Sequence, residues 1–358
     1  MEYFIGFLIL LGVLIFVHEC GHFAIAKLLG VKVLKFSLGF PPAIIKRQWG
    51  ETEYSLGWIP LGGYVKLLGE DPESSEEEIP PEDVPRAFTA KPLLSRVAII
   101  LAGPLSNYLT AVVLLCAGYV AGLPVLASEV GKIMDGSPAM EAGLKSGDKV
   151  VAIDGQPVWR WDDMRSIIEK SGGRQVNLSV ERDGGQIDVR VTPSIGDQKD
   201  VFGEPVGRIG VTPSGNAVKL GFAGAVYEGF RFTGYLTKLV GVTLVKVVKG
   251  EMSAKALSGP ITIIQASGES LKAGAFSFLF LMSYISINLA IINLLPVPIL
   301  DGGHLLFFAI EGIIGKPVTG RIREVATQAG LLFIVFLMVL VIYNDVMRIV
   351  TQGWALQP

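Results

Sequence analysis

The three histidines of this 358-residue chain fall in two short motifs, each embedded in apolar sequence. His18 and His22 belong to His18-Glu19-Cys20-Gly21-His22, inside the first hydrophobic segment. His304 follows Pro296-Val297-Pro298-Ile299-Leu300-Asp301-Gly302-Gly303, near the end of the third. Ionisable groups are costly in a bilayer, so their presence there points to chemistry. Four positions apart on a helix, His18 and His22 project about 40° from each other and can grip one ion. Glu19, about 100° from His18, lies beside that ion and reaches a water rather than the metal, whereas Cys20, about 200° round, points away. Gly21 offers room for close helix packing. A catalytic zinc takes three protein ligands and leaves one position for water. Asp301 is the natural third ligand, because its carboxylate offsets the charge of a dication. Gly302-Gly303 is expected to let the backbone depart from helix at that point. Pro296 and Pro298 break the preceding helix, and irregular backbone at bilayer depth is tolerated only where protein or water covers it. His304 is either a hydrogen-bonded neighbour of the site or a competing ligand, which would close the water position. Asn293, before the same break, either cross-links helices or donates to a substrate carbonyl and the developing oxyanion. The pattern reads as a zinc peptidase working inside a membrane, with Glu19 as its catalytic base.

Composition agrees with that setting. Half of the residues are hydrophobic, 18% are charged and the mean hydropathy is +0.51, values of a polytopic membrane protein. A net charge of -2 gives no electrostatic footprint for nucleic acid. Cys20 and Cys116 lie in separate apolar segments, which argues against a disulfide framework. Met1-Glu2-Tyr3 lacks the basic start of a signal peptide and no small-residue cleavage site follows, so the first segment reads as a retained transmembrane helix.

Four segments approach the roughly 20 residues that a crossing requires: 3–29, 97–123, 276–297 and 331–343, the last short unless its helix starts earlier or runs on through Asn344 and Asp345. The first connection carries Lys27, Lys32, Lys35, Lys46 and Arg47, then Arg86, Lys91 and Arg96; the third carries Lys316, Arg321 and Arg323. Positive charge favours the cytoplasmic side, which places both connections inside and both termini and the long stretch between the second and third spans outside. Within the first connection, Glu70 to Asp83 is acidic and holds Pro80-Pro81, the composition of a solvated linker. Before it, 53–56 and 62–66 flank a Gly/Pro turn region and read as a hairpin.

Residues 128–193 read as a small soluble domain. Turn signals recur at Asp135-Gly136, Asp154-Gly155 and Asp183-Gly184-Gly185; 175–180 and 187–191 alternate as strands; Trp161 to Lys170 reads as a helix. The order Gly136-Ser137-Pro138-Ala139, Ala142-Gly143-Leu144, Gly147-Asp148 and Ile153-Asp154-Gly155 resembles a PDZ domain, either a peptide-binding module that works by strand addition or a rigid spacer. The 221–250 stretch mixes apolar residues with Arg231, Lys238, Lys246 and Lys249, which fits an amphipathic helix at the membrane surface.

His18-Glu19-Cys20-Gly21-His22 together with Asn293-Leu294-Leu295-Pro296-Val297-Pro298-Ile299-Leu300-Asp301-Gly302 resembles the site-2 protease family of intramembrane zinc metalloproteases, in particular the regulator-of-sigma-E protease branch. Phe36-Ser37-Leu38-Gly39-Phe40, 60–66, Gly103-Pro104-Leu105-Ser106-Asn107 and Ser258-Gly259-Pro260-Ile261 support the resemblance along nearly the whole chain. It implies a polytopic α-helical membrane protein of four transmembrane helices with a membrane-associated β-hairpin and one inserted PDZ-like α+β domain. The expected division is 1–126 for an N-terminal membrane core, 127–213 for the PDZ-like domain, 214–275 for an amphipathic surface segment and 276–358 for a C-terminal membrane core. The resemblance also implies Zn2+ and a hairpin that pairs with substrate through Gly63, Tyr64 and Val65. Expected substrates are single-span membrane proteins, such as anti-sigma factors already cut by a site-1-type protease, or signal-peptide remnants. The expected location is a bacterial inner membrane, with the PDZ-like domain on the periplasmic or extracellular side and the zinc site toward the cytoplasm. Well-known members carry two tandem PDZ domains, whereas this chain has room for one. Two other functions compete: a membrane-bound zinc peptidase cutting surface-exposed polypeptides, and a catalytically inert PDZ adaptor, which the intact Glu19 and ligand set disfavour.

Overall fold

Apolar runs rich in Leu, Ile, Phe and Val satisfy their backbone internally as helices, and four of these are long enough to cross a bilayer. A computed structural model describes residues 2–70, 79–199, 205–252 and 259–354. The chain divides into two compact units, Met1–Cys116 with Gly229–Pro358, and Ala117–Glu228. The acidic triplet Glu76-Glu77-Glu78 lies outside the described residues.

The larger unit starts with α1 (Glu2–Leu28). Its 27 residues span about 40 Å at 1.5 Å each. Strands β1 (Val33–Trp49) and β2 (Thr52–Leu67) follow. Each is used twice: Phe36 pairs with both Val65 and Tyr54, Leu38 with both Gly63 and Leu56, and Lys46 with Ser55. The two long strands therefore form four ladder segments in the order 43–49, 52–57, 33–40, 59–67. A hairpin forms, but not the one expected: 53–56 and 62–66 both lie on β2 and pair with β1 rather than with each other, and the turn falls at Gly50-Glu51 instead of 57–61. Its 59–67 segment is an edge with one strand neighbour among the described residues.

Helix α2 (Leu93–Val120) returns antiparallel to α1, with Pro104 inside it. A core of Ala26, Val31, Val33, Leu67, Ile99, Ile100 and Phe308 binds the sheet to the helices. In the smaller unit the chain runs β3 (Val125–Leu126), β4 (Val130–Ile133), α3 (Pro138–Glu141), β5 (Lys149–Ile153), β6 (Gln156–Pro157) and α4 (Trp161–Glu169). It continues through β7 (Val176–Arg182), β8 (Gly185–Val191), β9 (Ser194–Lys199), β10 (Pro205–Arg208), β11 (Val211–Pro213) and β12 (Ala217–Val218). A four-stranded sheet, β6-β5-β7-β8, packs its inward residues against Met164 and Ile168 of α4, and β4 pairs with β11. The expected strands at 175–180 and 187–191 and the helix at 161–170 are β7, β8 and α4.

The 214–275 stretch, expected as one amphipathic segment, holds two helices, α5 (Phe222–Val248) and α6 (Pro260–Ala273). In the larger unit α5 runs lengthwise along α2: Gly229 faces Cys116, and Thr237 Oγ1 lies 3.4 Å from the Tyr108 hydroxyl. Leu236 and Val240 share a core with Ala111, Leu115 and Ile287. Helices α7 (Ala275–Asn293), α8 (Asp301–Ile314) and α9 (Gly320–Gln352) complete the unit. The fourth span is not short: α9 starts before Leu331 and continues through Asn344 and Asp345. Asp345 is buried because it accepts the Ile261 and Thr262 N–H groups, both at 3.0 Å, at the start of α6.

Candidate metal centre

Two elements carry the three candidate ligands to one point. On α1, the four-residue spacing sets His18 Nε2 and His22 Nε2 3.2 Å apart. Asp301, the first residue of α8, places Oδ2 3.2 Å from His18 Nε2 and Oδ1 3.5 Å from His22 Nε2. A zinc tetrahedron with bonds of about 2.0–2.1 Å has edges of about 3.3–3.4 Å. The observed separations match that edge, so this donor set fits zinc, and it is two imidazoles and a carboxylate, as a hydrolytic zinc site prefers. Among the described residues this is the one cluster of three such side chains with metal-binding spacing.

The chain entering Asp301 is irregular, as the two prolines led us to expect. Helix α7 ends at Asn293, and turn hydrogen bonds from Val297 to Leu295 and from Leu300 to Val297 carry the backbone to α8. The glycines act differently from expectation. Gly302 and Gly303 lie inside the first turn of α8 rather than at a departure from helix. They let that turn press against the backbone of Leu294, Leu295 and Val297, where a side chain would collide.

Ligand orientation comes from α2. His22 Nδ1 lies 2.9 Å from the Ile99 carbonyl, which can only accept, so its proton sits on Nδ1 and Nε2 keeps its lone pair for a metal. A Cβ at Gly103 would collide with His22 Nε2 and come within 2.9 Å of His18 Cε1, so both imidazoles lie over this glycine. A Cβ at Gly21 would collide with Ser106 Oγ and the Ala102 carbonyl, which confirms the close packing expected there. Asn107 Nδ2 lies 3.3 Å from His18 Nδ1, and Asn293 Nδ2 lies 3.5 Å from His18 Nε2.

A cavity of about 450 Å³ opens onto this cluster. Glu19, Asn293 and His304 line it, as do Gly63, Tyr64 and Val65 of the sheet edge. A Cβ at Gly63 would sit 2.9 Å from Glu19 Cγ and 2.8 Å from the Ser37 carbonyl, so the edge strand packs closely on the Glu19 side chain only because residue 63 is glycine. Each site residue expected from the sequence therefore faces one space. His304 lines it without joining the three-residue cluster, and Cys20 lies outside the lining. Gly103, Asn107 and Glu70 also belong to this surrounding and were not singled out individually. The signal for the first two was a Gly and an Asn one helical turn apart, on one face of an apolar helix.

A profile described as peptidase family M50 matches residues 6–337. A relative from Agrobacterium fabrum is 33% identical over 366 residues, covering 97% of this chain and 96% of its own. The zinc metalloprotease RasP of Geobacillus kaustophilus is 31% identical over 420 residues, covering 97% and 98%. The regulator of sigma-E protease RseP of Salmonella typhimurium is 31% identical over 449 positions, covering 96% and 98%, and is thus the longer chain. A solved PDZ domain of an SdrC-like protein from Listeria innocua matches 26% of this chain and 99% of its own, at 19% identity and a TM-score of 0.22.

Proposed function

Because this chain belongs to peptidase family M50 and is a zinc metalloprotease, we propose that it hydrolyses peptide bonds within the transmembrane segments of single-span membrane proteins. One observation carries the proposal: three donors at tetrahedral spacing, two of them on a helix long and apolar enough to cross a membrane, face a cavity bordered by an open sheet edge.

In this reading His18, His22 and Asp301 hold Zn2+, and Glu19 is the general base. Zinc, when bound, supplies Lewis acidity that polarises the scissile carbonyl and acidifies water. The Glu19 carboxylate takes a proton from the attacking water as the new C–O bond forms, then delivers it to the amine nitrogen as the C–N bond breaks. The Asn293 amide donates to the carbonyl oxygen as negative charge develops on it, a role supported by its place in the cavity lining. A substrate helix hides its carbonyls in i to i−4 bonds and must unwind before it can be cut. Strand pairing with 62–66 of the sheet edge replaces those lost bonds, which is why Gly63, Tyr64 and Val65 are assigned to substrate.

The chain is a membrane protein, and its basic connections support an orientation in the bacterial inner membrane with the zinc site toward the cytoplasm and residues 127–213, PDZ-like, outside. Anti-sigma factors trimmed by a site-1-type protease, or signal-peptide remnants, are the substrate classes proposed. Incubation of the zinc-loaded protein with a single-span substrate in liposomes, with mass spectrometry of the products, tests this. Cuts should fall within the span, and Glu19→Gln should slow them by at least about a hundredfold with zinc retained. Cuts only outside the span would replace the proposal with a peptidase of surface-exposed polypeptides.

A further inference from the structure

We propose that Asn107 is a positioning residue for the metal, its side-chain oxygen accepting a hydrogen bond from His18 Nδ1–H and so holding the His18 ring in its ligating orientation. The inference rests on the reading of His18 as a ligand through Nε2. That nitrogen is the one facing Asp301 Oδ2 and His22 Nε2, each at 3.2 Å. An imidazole that offers Nε2 to a metal keeps its proton on Nδ1, so Nδ1 requires an acceptor.

For His22 the acceptor is the Ile99 carbonyl. At His18 Nδ1 stands the Asn107 amide, with Nδ2 at 3.3 Å. Two donors would then oppose each other. Meanwhile Asn107 Oδ1 is buried and takes no hydrogen bond among the described residues. Half a turn about the last side-chain bond exchanges two groups of nearly equal size and relieves the opposition. The oxygen then meets the Nδ1 proton.

The residue is built for such a task. Asn107 is 1% exposed, and its own carbonyl accepts the Ser286 hydroxyl at 2.7 Å, pinning this turn of α2 to α7. The side chain therefore projects from a fixed base, and its backbone anchor does not depend on the amide. Both ligating imidazoles would then be oriented from α2: His22 by a backbone carbonyl, His18 by an amide one.

Zinc affinity of the full-length protein in detergent, measured by competition with a chromophoric chelator, tests the assignment. Asn107→Leu keeps the shape and removes the acceptor, and should weaken zinc binding by about 10- to 100-fold, the usual effect of losing such a partner. Asn107→Asp keeps an oxygen in place and should retain wild-type affinity or exceed it. Equal affinity for wild type and Asn107→Leu would overturn the proposal, as would an Asp variant that binds as weakly as the Leu one, since the amide would then act as donor. His18→Ala separates the premise: if it leaves zinc affinity unchanged, the ligand reading fails and the proposal with it. A second measurement needs no variant. With three histidines in the chain, ¹⁵N-histidine spectra of the zinc-loaded protein can resolve the His18 Nδ1 proton. It should be protected from exchange with water, and free exchange would overturn the assignment.

Discussion

At the residue scale, the space under the imidazoles matters as much as the imidazoles themselves. A Cβ at Gly103 would strike His22 Nε2, the atom proposed to hold the metal, and crowd His18 Cε1. The Ile99 bond holds the His22 ring from its other side, so the ring has little room to retreat. We expect Gly103→Ala to cost about 1–3 kcal/mol of stability through overpacking. We also expect it to lower zinc affinity by at least about tenfold, more than overpacking elsewhere on α2, because the displaced atom is itself a donor. A chelator competition beside a thermal melt separates the two effects. Undiminished zinc affinity would mean that the rings move aside. His18, Glu19, His22 and Asp301 were legible in the sequence because charge in an apolar run needs a reason. Gly103 and Asn107 were not, because small and amide residues are ordinary in membrane helices, where they often serve packing alone.

Among the elements, helix α6 depends on a residue from the far end of the chain. Asp345 on α9 accepts the N–H groups of Ile261 and Thr262, as well as the Thr262 hydroxyl at 2.5 Å, and so caps the start of α6. Orphan N–H groups at a helix start gain about 0.5–2 kcal/mol from such a partner. We expect Asp345→Ala to lose at least about that amount and Asp345→Asn, which keeps one acceptor, to lose less. Thermal unfolding of the two variants checks the order; equal melting temperatures would show that the cap contributes nothing. No reading of the sequence links residues 84 positions apart; it named Asp345 only as a residue through which the fourth span would have to run on. The same limit applies to the sheet. Alternation revealed two short strands, but the doubling of β1 and β2 into four ladder segments depends on long-range register, which local pattern does not encode. Strands β7 and β8, joined by a two-residue Asp-Gly turn, are local and were legible, the expected bounds falling two residues short of the turn on either side.

At the scale of the whole molecule, two units must hold under the same conditions while serving different ends. In the smaller one, Asp148 is buried and bonded by Arg182 Nε at 2.7 Å and Nη2 at 2.6 Å, and by the Lys145 N–H at 2.7 Å. Burial alone would raise its pKa, but the Arg182 guanidinium and the Lys145 N–H outweigh it and hold the carboxyl below its usual range. A depressed pKa contributes stability that is present above the unfolded value, about 3.9, and is lost as pH falls through the folded one. Hydrogen exchange of β5 and β7, corrected for intrinsic rates, should therefore accelerate below about pH 4, and Arg182→Leu should open these strands at neutral pH as well. The way this unit joins the chain permits a sharper test. Leu126 pairs with Ala217 and Val125 with Val218, and the Ala127 N–H reaches the Asn216 carbonyl at 2.9 Å. Its entry and exit are thus neighbouring strands, so residues 128–215 can be replaced by a short Gly-rich turn without moving either end. If the inserted unit excludes substrates that still carry a folded outer domain, the shortened chain should keep its zinc affinity and its rate on trimmed substrates. On untrimmed ones it should gain at least about tenfold in kcat/KM, roughly 1.4 kcal/mol of barrier. An unchanged ratio between the two substrates would place any preference for trimmed substrates in the membrane core itself, where unwinding of the substrate helix and its pairing with the 62–66 edge would then be the whole of specificity.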